Sequence, residues 1–278
     1  MLTSPSKNQL PQPSLHQRAL GHGRLGLVNT NGQTQIDELY QQGCAKIRIP
    51  HRRNNSLEAI MINSSGGMTG EDQMDWRFAI GKDCTASITT QACEKIYKST
   101  QGVVQTNVKI TLGERAKLSW LPQETILFNQ AALSRTIEAD IAADAEVLFV
   151  EPLIFGRGEM GEQLTQGYFK DRWRIKQNDT LIHSEEFMLQ GEIANQMANP
   201  FVTDGNNALA TILFISPSAV GFLEPTRKII GDNNGASHWN GKLLVRLIAR
   251  DGYGLRKTLI PLINLLNFGA DVPKIWSL

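Results

Sequence analysis

The sequence has almost no net charge, few cysteines and no long apolar run. Its 28 Lys and Arg residues nearly balance 27 Asp and Glu residues, for a formal net charge of +1. No global field would therefore steer it to nucleic acid or to an anionic membrane. No apolar run approaches the ~20 residues of a membrane-spanning helix. The three cysteines form no CxxC pair, which argues against a disulfide framework and favours a reducing, cytoplasmic setting.

Motifs for the common catalytic and metal sites are also missing. The five histidines show no HxH, HxxxH or HExxH spacing, so no local ligand set for zinc or nickel is present. There is no GxSxG nucleophile elbow. Cys84 and Cys93 lie nine residues apart and could face each other as soft ligands, although buried structural thiols are the simpler interpretation. We therefore expect no enzyme activity.

The segment Gly-Gly-Met-Thr-Gly-Glu-Asp at 66–72 superficially resembles a phosphate-binding loop. No Lys-Ser/Thr follows its glycines, and the next residues read as a strand instead of the helix that supplies the anion site in nucleotide-binding loops. The acids that close the segment would also repel phosphate. We therefore do not expect nucleotide binding.

The N-terminal residues are polar and rich in proline, glutamine and serine. They lack the apolar segment of a signal peptide, so we expect a disordered tail over residues 1–18. A single domain is expected over 19–278. Within it we predict a β body over 19–195 and a smaller α+β portion over 196–278.

Glycine is plentiful, and many of the 24 glycines separate short β-rich runs. This pattern is typical of strands joined by tight turns. The predicted strands are 45–49, 58–63, 75–80, 85–90, 103–112, 116–121, 135–141, 146–150, 166–176, 180–189, 208–216 and 242–250.

A weak internal repeat underlies these strands. Residues 78–88, 110–120 and 139–149 align with one another at a spacing of roughly 30 residues, which is typical of stacked supersecondary units. Each unit would be a strand, a tight turn and a returning strand. We therefore predict a mainly β fold with a β-helical or two-layer stacked body. An antiparallel protein with evenly spaced hairpins is the alternative.

The C-terminal part has a different pattern, which predicts about two helices. The first follows helical spacing over 218–230, where Pro225 indicates a late start or a kink. The second carries an apolar stripe that includes Leu255 and Leu259, with Pro261 inside it. Such a stripe either packs into the core or docks a partner.

Five ordered segments carry a resemblance to a known family. They are Gly-Gly-Met-Thr-Gly-Glu-Asp (66–72), Thr-Thr-Gln-Ala-Cys-Glu-Lys-Ile-Tyr-Lys-Ser (89–99), Trp-Leu-Pro-Gln-Glu-Thr-Ile-Leu-Phe (120–128), Phe-Gly-Arg with Gly-Glu (155–157 and 161–162), and Pro-Lys-Ile-Trp (273–276). In this order and spacing they resemble the signature blocks of the urease accessory protein UreD (UreH) family, over about residues 20–276. The chain departs from the family pattern at Glu71, where a glycine is usual, at Lys274, where arginine is usual, and in a short basic stretch over 51–56.

The resemblance implies a non-enzymatic, cytoplasmic maturation factor with a layered β body and two helices near the C-terminus. Members of the family bind UreF, which recruits the GTPase UreG, and the complex delivers nickel to apo-urease. The resemblance therefore implies these three partners, no tightly bound cofactor, and nickel bound only in passing.

Carboxylates are the side chains that suit a passing nickel ion. Hard oxygen ligands hold a divalent ion weakly enough to release it, whereas a closed Cys/His cage would not. We predict that Asp72, Glu151 and Glu185 contribute to a transient nickel path, with Glu94 and Glu124 in reserve. A solvated or salt-bridged acid is the alternative for each.

The partner surface is predicted along one edge of the stack, where a proline and an acid interrupt an apolar strand. The predicted contact residues are Trp120, Pro122, Gln123, Glu124, Tyr97, Leu255 and Leu259.

Two other functions remain open on the sequence alone. Carboxylate pairs such as Glu185/Glu186 would also suit a carbohydrate-active β-solenoid, although aromatic residues make up only 7% of the chain. A purely structural adaptor without a metal path is the other alternative.

Overall fold

The computed structural model describes residues 18–50 and 56–277, and the side chains of Glu159 and Ser277 are not among the described features. The predicted tail, up to residue 17, and the basic stretch at 51–55 lie outside the described residues. Within the described ranges the chain is mainly β, as predicted. No helix in these ranges is long and apolar enough to cross a membrane.

The strands in the described ranges are β1 (Leu20–Thr30), β2 (Gln33–Gly43), β3 (Ala45–Arg48), β4 (Leu57–Asn63), β5 (Gln73–Ile80), β6 (Thr85–Thr90), β7 (Glu94–Ile96), β8 (Val104–Leu112), β9 (Lys117–Leu121), β10 (Thr125–Leu127), β11 (Ala132–Ile141), β12 (Glu146–Phe155), β13 (Gln166–Gln177), β14 (Thr180–Glu192), β15 (Ala208–Ile215), β16 (Gly235–Trp239) and β17 (Lys242–Ala249). The α-helices are α1 (Ile193–Met197), α2 (Leu223–Ile230) and α3 (Gly252–Leu266).

The strands form two facing sheets. The first sheet has the order β14-β13-β11-β8-β5-β1-β2. The second has the order β16-β17-β15-β12-β9-β6-β4-β3, and the short strands β7 and β10 continue it beside β12. Strands β5, β8, β11 and β13 pair in parallel in the first sheet, and β4, β6, β9 and β12 do so in the second.

The parallel pairing confirms the predicted stack. In the first sheet Phe78 pairs with Ile110, and Ile110 pairs with Ala139. In the second sheet Ile88 pairs with Trp120, and Trp120 with Phe149. These are equivalent positions of the internal repeat, so each repeat unit is one coil of a solenoid. Evenly spaced antiparallel hairpins would not give this register.

Each coil has two unlike ends. At one end, called the turn end, tight turns at 81–84, 113–116 and 142–145 lead from the first sheet to the second. In each turn the last backbone N–H donates to the first carbonyl, at 3.1–3.2 Å. At the other end, called the connection end, the longer segments 91–103, 122–131 and 156–165 return the chain to the first sheet.

Two hydrophobic cores stabilise this architecture. The first fills the space between the sheets and includes Phe78, Phe149, Phe169 and Trp173. The second lies between the outer face of the second sheet and helices α2 and α3. Because β15 faces both cores, all eight of its residues are buried.

The two predicted C-terminal helices are present. Helix α2 begins at Leu223, so Pro225 lies in its first turn, where a missing N–H breaks no helical bond. Asp251 caps α3 by accepting from the Gly254 N–H at 2.7 Å. Helix α3 continues through Pro261, and its apolar stripe is buried in the second core.

Candidate functional site

The connection end brings the first four signature segments together. Met68 forms a parallel bridge with Ile96, Ile96 pairs with Leu127, and Leu127 pairs with Phe155. Segments far apart in sequence therefore lie side by side in consecutive coils. The residues next to these four form one continuous surface.

An aromatic and cationic column crosses that surface. The Tyr97 ring packs edge-on against Phe128, with centroids 4.9 Å apart, and the Arg157 guanidinium lies 4.3 Å from the Phe128 centroid. Arg157 is held by a salt bridge to Glu162. Gly67 lies against Tyr97, and a Cβ there would overlap the tyrosine ring. The column is thus packed into a defined shape.

Exposed cationic and apolar side chains surround the column. Met160 is 77% exposed. Lys95 and Lys98 are exposed, and neither has a carboxylate partner within residues 18–50 and 56–277. We call Lys95, Tyr97, Lys98, Arg157 and Met160 the connection-end surface.

A cavity of about 70 Å³ lies between the two sheets. Its polar lining includes Glu94, Glu151, Arg135 and Trp120. Methionine side chains contribute to the apolar part of the wall. The cavity therefore places two carboxylates in a mainly apolar lining.

Glu151 belongs to a buried ionic cluster. It accepts hydrogen bonds from the Trp120 indole at 2.7 Å and from Arg135, which also binds Asp171 at 2.6 and 2.9 Å. Burial raises the pKa of Glu151 to about 7, and the neighbouring Asp171 charge adds to the effect although Arg135 opposes it. One guanidinium thus faces two carboxyl groups, and both oxygens of Glu151 accept hydrogen bonds.

Glu94 has fewer partners. The Asn63 amide donates to its two carboxylate oxygens at 3.1 and 3.3 Å. Burial raises the pKa of Glu94 to about 7. No arginine or lysine forms a salt bridge with it in the described part of the chain. Glu94 is therefore the more available of the two cavity carboxylates.

Glu124 fixes the C-terminal helix to the stack. The Arg256 guanidinium donates to its two oxygens at 2.6 and 2.7 Å, and to Gln123 at 2.9 Å. Burial acts to raise the pKa of Glu124, but Arg256 holds that pKa below its ordinary value. Arg256 also donates to the Trp276 carbonyl, and the Trp276 indole donates to the Leu121 carbonyl, both at 3.2 Å.

The cysteines do not form a ligand pair. Cys84 and Cys93 lie just before and just after β6, hence at opposite ends of a strand. Burial, followed by the Glu124 charge, raises the pKa of Cys93 to about 12, and burial raises the pKa of Cys84. Both thiols are therefore protonated at neutral pH.

The three predicted nickel ligands lie in separate environments. Asp72 is buried in the turn before β5, where it accepts from the backbone N–H groups of Ala19 and Thr69 at 2.7 and 2.8 Å. Glu185 forms a salt bridge with Arg246, and Glu151 lies in the cavity. No group of three or more His, Cys, Asp or Glu residues in the described ranges could hold a metal ion. The structure instead places Glu94 beside the same cavity as Glu151.

Of the predicted partner residues, Tyr97 alone lies at the surface, with 39% exposure. Trp120, Pro122, Gln123 and Glu124 are buried where β9 meets the connection end. Leu255 and Leu259 are buried in the second core. These six side chains hold the fold together in this structure, and an interface role for them stays a prediction. Arg256, Lys95 and Arg157 were not predicted, because their roles depend on contacts between distant segments.

The comparison with known proteins identifies the family. Residues 19–277 match the family model described as UreD urease accessory protein. The chain belongs to the UreD urease accessory protein family. It is 49% identical over 267 residues to the urease accessory protein UreD of Agrobacterium fabrum, covering 96% of this chain and 94% of the relative. It is 47% identical over 270 residues to that of Mesorhizobium japonicum, covering 96% of each. The match confirms the resemblance, so a role in urease maturation is shown.

One departure from the UreD pattern is accommodated locally. Glu71, at a position where glycine is usual, has a φ of 69°, in the left-handed region. Its exposed carboxylate forms a salt bridge with Arg18 at 2.7 Å and accepts from the Gln101 amide at 3.2 Å. These contacts help to hold a backbone conformation that a glycine would adopt more easily.

Proposed function

We propose that this protein is a cytoplasmic, non-enzymatic scaffold that helps to deliver nickel into apo-urease, in a complex with a UreF protein and, through it, the GTPase UreG. The observation that carries the proposal is the pair of carboxylates, Glu94 and Glu151, at one interior cavity of a UreD-family chain. Neither belongs to a closed ligand cage in the described residues. Nickel is cargo in this proposal, so the protein must release it.

The chemistry of the cavity suits weak, reversible binding. Oxygen ligands hold a borderline divalent ion less tightly than thiolates and imidazoles do. A pKa of about 7 means that a cation competes with a proton at each carboxyl group. A cavity of about 70 Å³ has room for an ion with few waters. Of the carboxylates predicted from sequence, Glu94 fits this role best, since Asn63 is the one side chain that donates to its carboxylate in the described residues, and Glu151 lines the same cavity.

Asp72 and Glu185 remain proposed contributors, at earlier or later points of the path. Their oxygens are engaged by backbone amides and by Arg246 respectively. A cation could use them only by replacing those donors. Both oxygens of Glu151 are likewise engaged, by Trp120 and Arg135, so all three rank below Glu94.

Co-expression tests the scaffold and the path separately. Apo-urease is produced with the other accessory proteins, with this protein or without it, and the nickel content of purified urease is measured. We expect nickel loading to fall severalfold without the protein. Unchanged loading would overturn the scaffold proposal.

The path is tested with Glu94→Gln, which keeps the shape of the side chain but removes its charge. The matched control is Glu138→Gln, at an exposed carboxylate of β11. We expect Glu94→Gln to lower nickel loading while the complex still co-purifies, and the control to load fully. Full loading with Glu94→Gln would exclude this carboxylate from the path and favour an adaptor without a metal route.

The connection-end surface is the proposed docking site for the accessory partner. It combines an exposed methionine and a packed aromatic column with two lysines that have no carboxylate partner in the described part of the chain. The chemistry that fits it is an acidic segment carrying one or two apolar side chains. A partner bound here would lie over the first four signature segments.

A further inference from the structure

The turn end holds a second cavity that urease maturation does not account for. Its volume is about 480 Å³, within the range of small-molecule sites. Hairpins from both sheets border it, near the turn that joins β13 to β14 and near the start of β17, and it is open to solvent on one side. The apolar part of its wall includes Leu181, Ile182, Ile215 and Pro217.

Lys242 is the one charged residue among the described residues that line this cavity. It is 5% exposed. Its ammonium donates to the Ile182 carbonyl and lies 5.1 Å from the centroid of the Trp239 ring. No carboxylate in the described ranges forms a salt bridge with it. A lysine that lacks a counter-ion can pair with an anionic ligand.

Two acids with contacts to this region are already engaged. Glu146 forms a salt bridge with Lys117 at 2.8 Å and accepts from the Ser216 hydroxyl. Glu185 is paired with Arg246. Neither is free to neutralise Lys242, so the cavity keeps a positive field.

His183 lies close enough to the same positive charges to be affected by them. It is buried on β14, its Nε2 has no partner within the described residues, and its ring centroid lies 6.4 Å from that of Trp239. Burial, together with the charges of Lys242 and Arg246, lowers the pKa of His183 to about 4. His183 is therefore neutral at pH 7 and adds no second positive charge.

We propose that this cavity binds a small organic monoanion, whose carboxylate pairs with Lys242 while its apolar part packs against Leu181, Ile182, Ile215 and Pro217. One cation favours one negative charge. The apolar wall favours a hydrocarbon or aromatic body over a bare inorganic ion. The site is independent of nickel delivery.

The test uses 4-fluorobenzoate as the probe on the full chain, observed by fluorine NMR. We expect saturable binding, and binding of the neutral 4-fluorobenzamide weaker by about tenfold or more, because the amide lacks the charge that pairs with Lys242. Lys242→Gln should weaken 4-fluorobenzoate binding to the same degree. Lys82→Gln removes an exposed lysine of the turn end and should leave binding unchanged.

Three results would overturn the proposal. The first is that 4-fluorobenzoate does not bind at ~10 mM. The second is that the wild-type protein binds 4-fluorobenzoate and 4-fluorobenzamide equally. The third is that a folded Lys242→Gln variant binds 4-fluorobenzoate as wild type does. The comparison of the two probes uses the wild-type protein alone, so it decides the question even if the variant does not fold.

Discussion

At the scale of single residues, burial changes what Glu94 and Glu151 can do. An exposed glutamate is ionised at pH 7, whereas burial raises the pKa of each of these two to about 7. Their environments differ, since Glu151 faces Arg135 and Glu94 is held by the Asn63 amide. Glu94 is therefore the simpler group on which to measure the cost of ionisation.

Glu94 makes stability depend on pH in a predictable direction. Its folded pKa of about 7 exceeds the ordinary value of 4.5, so the folded state binds the proton more tightly than the unfolded state does. The stabilisation from that proton is complete below pH 4.5 and is lost as the pH rises through about 7. Glu94→Gln should therefore gain stability over wild type, on the order of 1–3 kcal/mol, between roughly pH 5 and pH 8.

The free energies of unfolding of wild type and Glu94→Gln are measured by urea unfolding at roughly pH 5 and pH 8. Glu138→Gln, which changes an exposed carboxylate, should show no comparable trend. A stability difference that does not vary with pH would mean that Glu94 is ionised throughout.

The site residues show how far sequence reasoning extends at this scale. Glu94 and Glu124 fall within segments singled out by their sequence, yet the pattern does not reveal that both side chains turn inward. The direction of Glu124 depends on Arg256, which is 132 positions away. Asp72 was predicted for metal, which stays a prediction, and the sequence does not reveal that its carboxylate accepts from two backbone amides. Such contacts become visible only when the coils are stacked.

At the scale of elements, the internal repeat was the sequence feature that predicted the stacked strands correctly. Equivalent positions of the repeat pair in register because each coil adds one strand to each sheet. Strand β2 was not predicted, since nearly all its residues are exposed and no alternation marks it. Strands β7 and β10 have three residues each and exist through their parallel neighbours. Their sequences contain too little pattern to identify.

In the described part of the chain, one ion pair joins helix α3 to the stack, between Arg256 and Glu124. Arg256→Ala would leave Glu124 buried at 1% exposure with no cation, at a cost of about 3 kcal/mol. The Trp276 carbonyl would lose its donor at the same time. We therefore expect a lower unfolding midpoint and faster proteolysis within residues 252–277.

The neighbouring Lys257→Ala supplies the control, because Lys257 is exposed and contacts Tyr253 on its own helix. Thermal unfolding and limited proteolysis, followed by mass spectrometry, measure both variants. Equal behaviour of Arg256→Ala and Lys257→Ala would show that the second core alone holds α3. Glu124→Gln combined with Arg256→Met should recover part of the loss, since neither charge then remains buried.

At the scale of the whole molecule, the solenoid separates two kinds of surface. The turn end is short, regular and braced by ion pairs such as Arg115 with Asp83, at 2.7 Å. The connection end carries longer segments, whose side chains are free to form a shaped surface. Because consecutive coils are in register, residues about one repeat apart become neighbours there. The stack thus places residues one repeat apart in sequence on one continuous surface.

Charge reversal at the connection end tests that face directly. If the connection-end surface docks UreF as proposed, Lys95→Glu with Lys98→Glu should weaken that association at least about tenfold, because two cations without a carboxylate partner in the described residues would become anions facing an acidic segment. The protein itself should remain folded, since neither side chain is paired in the described residues. Co-purification and titration calorimetry with the partner measure the effect, and added salt should weaken wild-type binding more than binding by the variant. Lys176→Glu changes an exposed lysine of β13 near the turn end and should leave affinity for the partner unchanged.

A double variant that binds like wild type would show that the docking site lies elsewhere, while leaving the maturation role intact. Failure of the wild-type protein to form any complex would remove the scaffold proposal as well.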